Sequence, residues 1–206
     1  MIIKTLNMGE FRVNNYLVID EETSQAAIID AGGDYELTVS EAKKYNAKIK
    51  YVLNTHGHLD HIAGDYDLQT KEGARVFVHK DDLSLVNSLK QHLQLFGMPD
   101  YEIPKVDEFV EDGQIITLGN LEFKVIHTPG HSQGGVCYLI DDNLFSGDTL
   151  FAESVGRTDL PGGSYEQLMK SIKEKLFTLD DSVKVFPGHG AASTIGHEKR
   201  YNPFFR

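Results

Sequence analysis

A chain of 206 residues with 40% hydrophobic and 25% charged side chains can bury a sizeable core, and its composition is not that of a disordered segment. The formal charge of −11 argues against a nucleic-acid surface and against a polybasic membrane patch, because phosphate binding needs an excess of Lys and Arg. A lone cysteine, Cys137, rules out an intramolecular disulfide and suits a reducing compartment.

The opening stretch MIIKTLNMGEFRVNNYLVID lacks the charged start, apolar core and small-residue cleavage site of a signal peptide. No run approaches the roughly 18 apolar residues of a membrane span, so a cytoplasmic, soluble protein is expected. Short apolar and β-branched runs predict strands at 2–6, 16–19, 26–29, 49–53 and 75–78. Helical patterns fall at 35–46, behind Asp34 as N-cap, at 63–72 and at 81–95. The segment 97–111 is the most loop-like and is expected to border a cleft. Strands at 114–118 and 121–126, split by Gly119-Asn120, read as a hairpin with a two-residue turn, and further strands fall at 136–140, 143–145 and 183–186. In 165–178, Leu168, Ile172 and Leu176 share a helical face, with Ser164 and Gln167 as a capping box. Strands, helices and hairpins mixed in this way predict a mixed α/β sandwich in one domain spanning 1–206.

Four predicted strands end in a potential metal ligand: YVLNT before His56, HTPG before His131, NLFSG before Asp148 and KVFPG before His189. Three of these ligands follow a glycine, which permits a sharp turn and a close backbone approach. In NTHGHLDHIAG, an extended chain projects His56 and His58 to one side, while Asp60 and His61 lie on the turn into the next helix. One ion could not take all four without severe contortion, so two neighbouring sites are expected. His56 and His58 would be completed by His131, Asp60 and His61 by His189, and the two oxygens of Asp148 would bridge both. Nitrogen and carboxylate donors without thiolate suit Zn²⁺, Fe or Mn, and two close ions match hydrolytic two-metal chemistry. His79, His92 and His197 are isolated and read as ordinary packing or surface residues. His127 has an H-x3-H spacing to His131, but Thr128-Pro129 redirects the chain, so His127 reads as a supporting or packing residue.

The sequence His56-Gly57-His58-Leu59-Asp60-His61 resembles the H-x-H-x-D-H signature of the metallo-β-lactamase superfamily. The resemblance continues through HTPGHSQGG (127–135), FSGDTLF (145–151), GRTDLPGG (156–163) and FPGHG (186–190), covering nearly the whole chain. Within that superfamily it is similar to the short glyoxalase II-like (hydroxyacylglutathione hydrolase-like) branch. The resemblance implies a four-layer αββα sandwich with the metal site at one edge of the two sheets, and the same division of ligands between two ions. It also implies departures. Full-length glyoxalase II enzymes carry a helical C-terminal extension with basic residues for glutathione, and no such domain is expected here. Arg157 keeps the basic residue of the loop after the bridging Asp, but Asp159 stands where a Tyr is usual, and Gly190-Ala191 replace a second Tyr-bearing segment.

The activity implied is hydrolysis of a thioester of the S-acylglutathione type. A hydroxide bridging the ions would attack the acyl carbon, because metal binding lowers the pKa of water from 15.7 to about 7. Asp60 would help to orient that hydroxide, and Arg157 would meet a substrate carboxylate or else form a loop salt bridge. Another ester, lactone or thioester is an alternative substrate. A different reaction class is a persulfide dioxygenase, with one iron held by His56, His131 and Asp148; a third is a non-catalytic metal-binding module. β-Lactam hydrolysis fits poorly with a cytoplasmic protein, and a nuclease poorly with the acidic charge. Phe96, Met98, Tyr101 and Phe151 are candidate apolar contacts of the cleft, and the aromatics at 201–205 pack either back on the fold or at a subunit interface.

Overall fold

The computed structural model describes every residue except Glu10, Met98 and Pro99. Met98, a candidate cleft contact, therefore lies outside the described residues. Strands β1 (Ile2–Met8), β2 (Val13–Asp20), β3 (Gln25–Ile29), β4 (Lys48–Leu53), β5 (Arg75–His79) and β6 (Glu108–Val110) form one sheet in that order. Its first three strands are antiparallel and its last four run parallel from β3 onward. The later chain supplies β7 (Ile115–Leu118), β8 (Leu121–His127), β9 (Val136–Ile140) and β10 (Asn143–Gly147). A small ribbon of β11 (Leu150–Phe151) and β12 (Ser154–Val155) follows, and then β13 (Lys184–Pro187) and β14 (Ser193–Thr194). The second sheet has the order β14-β13-β10-β9-β8-β7, with β10 and β13 parallel.

Alternation along the strands sends side chains both ways, and both faces are covered. Tyr16, Val18, Ile29, Leu53 and Phe77 meet Phe123, Val125, Tyr138 and Phe145 between the sheets. Leu17, Ile19, Ile28 and Val52 face outward onto α1 (Tyr35–Lys44), whose Val39 and Ala42 are buried. Ile126, Leu144 and Val185 face outward onto α6 (Tyr165–Ser171) and its continuation through Ile172 and Leu176. Each fully buried aliphatic or aromatic side chain is worth about 1.5–3 kcal/mol, so the two-sided burial is what holds this four-layer αββα sandwich. Among the described residues no helix is long and apolar enough to cross a membrane.

The hairpin at 118–121 forms as expected, with Leu118 opposite Leu121 and Gly119 at φ 58°. Asp34 caps α1 by accepting from Leu37 N–H at 3.1 Å, and Ser164 caps α6 through Gln167 N–H at 3.3 Å. Helical structure starts earlier than expected after the histidine cluster. α2 (Leu59–Ile62) already contains Asp60 and His61, because extended His58 acts as its N-cap residue and accepts His61 N–H at 3.0 Å. The expected helix at 63–72 is a short α3 (Asp65–Asp67) running into a π-helical turn at Leu68–Glu72. The span 81–95 is broken at Ser88 into α4 (Leu83–Asn87) and α5 (Leu89–Phe96). Strands β6, β11, β12 and β14 and helix α7 (Ile195–Tyr201) carry too few apolar residues in too short a run to stand out in the sequence. At the C-terminus Phe205 turns back onto Phe177, with ring centroids 4.7 Å apart.

Candidate metal centre

Parallel register gathers the site. Ile29 pairs with Leu53 and Leu53 with Phe77, so the chain leaves β3, β4 and β5 on one edge, carrying Asp30, His56 to His61, and Asp82 there. In the other sheet Gly147 pairs with Pro187, so Asp148 and His189 emerge side by side. A hydrogen bond from Val136 N–H to the Thr55 carbonyl, 2.8 Å, ties the two edges together. The glycines before the ligands are needed for packing. A Cβ on Gly188 would lie 2.4 Å from Asp148 Oδ1 and 2.7 Å from His61 Cε1, and one on Gly147 would lie 2.3 Å from Thr55 Oγ1. Gly188→Ala should therefore keep the fold by circular dichroism while lowering activity and metal affinity at least about 10–100-fold, measured by metal titration.

The structure brings all seven expected ligands together, in overlapping groups whose donor atoms lie within 4.8 Å of one another. One group is His56, His58 and His131, with His58 Nδ1 2.9 Å from His131 Nε2. Another is Asp60, His61 and His189, with Asp60 Oδ2 3.7 Å from His61 Nε2 and 3.4 Å from His189 Nε2. Asp148 lies between them: Oδ2 is 3.6 Å from His131 Nε2 and 3.7 Å from His189 Nε2, and Oδ1 is 3.5 Å from His61 Nε2. Leaving buried polar atoms unpaired costs about 1–3 kcal/mol each, yet His56 Nε2, His61 Nε2 and Asp148 Oδ1 are buried without a hydrogen-bond partner. Three orphaned donor atoms at the centre of one cluster fit divalent cations, which would satisfy all of them.

Two buried carboxylates outside the expected ligand set hold the ligands in place. Asp30 accepts from His61 Nδ1 at 2.8 Å, from Thr55 N–H at 2.7 Å and from Thr55 Oγ1 at 2.8 Å, which aims His61 Nε2 at the cluster. Asp82 accepts from Gly57 N–H at 2.9 Å, Ser132 Oγ at 2.7 Å and Gly134 N–H at 2.6 Å, locking the His56–His58 loop to the His131 loop. Asp30 ends the run AAIID and so carries the same strand-end signal as the ligands; Asp82 looks in sequence like an ordinary acidic residue at a helix start. His131 is oriented by the Arg157 carbonyl, 2.7 Å from its Nδ1. The Arg157 guanidinium itself is forked onto Asp159 through two bonds of 2.7 Å, in an exposed loop.

His127 packs face to face on His79, with centroids 4.1 Å apart and planes 11° apart, and its Nε2 lies 2.9 Å from the Gln133 carbonyl. These two with Asp81 make a further close group, but parallel rings direct their in-plane lone pairs side by side rather than at one point, so the pair serves packing between the sheets. His197 pairs with Glu153 at 3.0 Å, and His92 is half-buried on α5. Tyr101 packs in the cluster of Leu59, Leu89 and Leu93, whereas Phe151 lies edge-on to His189 at 6.3 Å.

With no ion bound, burial pushes the His58 imidazole down from 6.5 to about 3, and burial and neighbouring imidazoles push His56 far down as well. Burial also opposes a charged His61, but Asp30, Asp60 and Asp148 outweigh it and raise it to about 10. The unfolded chain thus binds more protons at His58 between pH 6.5 and about 3, and more at His56 below pH 6.5, so the stability these groups contribute is present above pH 6.5 and lost as pH falls. The His61 contribution has the opposite sign, being full below pH 6.5 and lost as pH rises through about 10. Chelator-treated protein should lose stability below pH 6.5 by up to about 1.4 kcal/mol per pH unit per group, and His58→Gln should flatten the urea-midpoint profile there.

An αββα sandwich with histidine and aspartate donors at the shared edge of its sheets defines the class. The metallo-β-lactamase superfamily profile matches residues 8–189, and the chain belongs to that superfamily. It is 37% identical over 208 residues to hydroxyacylglutathione hydrolase GloC of Haemophilus influenzae, covering 99% of this chain and 98% of the relative. The crystal structure of the BLEG-1 B3 metallo-β-lactamase superposes with a TM-score of 0.91 at 34% identity, over 99% of both chains. TTHA1623, solved in a di-iron-bound form, superposes with a TM-score of 0.88 at 33% identity, over 98% of this chain and 99% of the other.

Proposed function

We propose that this protein is a binuclear metal-dependent hydrolase of thioesters of the S-acylglutathione type, acting in the cytoplasm. The observation that carries the reading is the pair of donor groups joined through Asp148, with unpartnered donor atoms turned into the cluster. His56, His58 and His131 would hold one ion, Asp60, His61 and His189 the other, and Asp148 both. Zn²⁺ suits these donors, and iron is supported by the di-iron form of TTHA1623. Bound there, the ions would supply activated water at neutral pH and a positive charge facing a carbonyl oxygen.

The chain's own groups do the rest. Burial would push the Asp60 carboxyl up, but His61 and His189 outweigh it and hold it ionised well below the usual range, so it accepts a proton-bearing partner without taking the proton. Asp60 thereby orients the attacking water. Asp30 keeps His61 fixed through Nδ1, and the Arg157 carbonyl does the same for His131. Thiolate leaves with little need for protonation, so the reaction makes no demand for a strong general acid. The Arg157 side chain would exchange Asp159 for a substrate carboxylate. The name of the Haemophilus influenzae relative supports the thioester; the similarity to a B3 β-lactamase favours β-lactam hydrolysis as the second reading.

The test is metal content by mass spectrometry on protein purified without added metal, followed by three assays on the same sample. Two equivalents of metal with turnover of S-lactoylglutathione support the proposal. Turnover of a β-lactam alone supports the second reading. One iron with oxygen uptake driven by a persulfide would overturn both.

A further inference from the structure

The cluster is partly open beside Asp60 and His189, whose side chains are 20% and 31% exposed, while His61 is fully buried. On that side the β1–β2 connection lies against the backbone that carries those two ligands. Asn14 N–H donates to the Gly188 carbonyl at 2.7 Å, and its side-chain amide donates to the Pro187 and Gly190 carbonyls at 3.0 and 2.9 Å. At the other end of the connection, a Cβ on Gly9 would lie 2.9 Å from the Gly32 carbonyl, and one on Gly32 would lie 2.2 Å from the Asp60 carbonyl. Phe11 stands between these two anchor points.

Phe11 is 43% exposed, and Phe96, at the end of α5, is 56% exposed. Their rings meet edge to face, with centroids 6.3 Å apart and planes 89° apart. Phe151 is a separate aromatic neighbour of the cluster, edge-on to the His189 ring. The opposite end of the cluster, beside His131, instead carries the charged Arg157–Asp159 pair. An elongated substrate therefore meets an apolar end and a charged end.

We propose, resting on the thioester reading above, that Phe11 and Phe96 form a wall that receives the acyl group, so that thioesters with apolar acyl chains of several carbons are preferred over short polar ones. The reaction is unchanged: water adds to the acyl carbon, the carbon–sulfur bond breaks, and a carboxylate, a thiol and a proton are released. Each methylene fully removed from water is worth about fourfold. A wall that is itself half exposed should return about twofold per methylene.

The two-metal protein is assayed for kcat/KM on glutathione thioesters of acetyl, butyryl, hexanoyl and octanoyl groups. The series should rise about twofold per methylene, and the Phe11→Ser/Phe96→Ser double variant should flatten it. A flat or falling series in the parent protein, or a slope that survives in the double variant, overturns the wall. A double variant that changes oligomeric state by sedimentation while keeping the slope assigns the patch to a subunit interface and overturns it too. If no thioester is hydrolysed, the reaction assignment fails separately, and calorimetry decides the wall: octanoate should bind more tightly than acetate to the parent protein only. Equal binding of the two acids to the parent overturns it.

Discussion

Asp148→Ala should lower turnover by at least about 10²–10³-fold, because it removes a carboxylate whose two oxygens reach both donor groups. The protein without metal should lose little. Asp148 Oδ1 is buried with no hydrogen-bond partner, so its removal relieves a desolvation cost that offsets the lost attraction to the His61 imidazole. The expected pattern is an unchanged or slightly raised urea midpoint after chelation, together with a smaller gain in midpoint when metal is restored, because ligand stabilisation scales with affinity. A variant that keeps two tightly held metal equivalents and full activity would remove Asp148 from the shared position.

Asp30→Ala should have the opposite balance, with a large effect on the fold as well as on the site. Asp30 is 1% exposed and accepts from the Thr55 backbone, the Thr55 hydroxyl and His61. Removing it strands a buried backbone N–H and frees the His61 ring, and breaking a buried ionic partnership costs about 3–5 kcal/mol. Metal affinity should fall by about 10–100-fold, as for other residues that orient a ligand. The two losses are separable: urea denaturation of chelated protein reads the first, and competition titration with a chromophoric chelator reads the second. Asp30→Asn keeps an acceptor for Thr55 N–H, so it should recover part of the stability and less of the affinity.

These two residues differ in how visible they are in the sequence. Asp148 follows a short apolar run and a glycine, and a carboxylate at a strand end beside three histidine-bearing strand ends has few roles open to it besides metal binding. Asp30 ends a strand in the same way, but with no histidine near it in sequence nothing distinguishes it from a turn residue. Asp82 is hidden more deeply, since its partners Gly57, Ser132 and Gly134 lie 25 to 52 residues away. Helix limits depart from the apolar pattern for a local reason: the α2 turn begins inside the metal motif because the carbonyl of His58, itself still extended, accepts His61 N–H, which no apolar periodicity announces.

Strand periodicity and the spacing of the seven candidate ligand residues determined by themselves that this chain would form a mixed sandwich with donors at its strand ends. Those signals are local, arising from alternation along a strand and from glycines that a close backbone approach requires. Only the tertiary structure decided which ends meet, because the register of Leu53 against Ile29 and Phe77, and of Gly147 against Pro187, depends on long-range pairing. It likewise decided which acids stand behind the candidate ligands, that Arg157 is engaged by Asp159, and that the rings of Phe11 and Phe96 meet. Contacts between residues so far apart in the chain leave no periodic trace in the sequence.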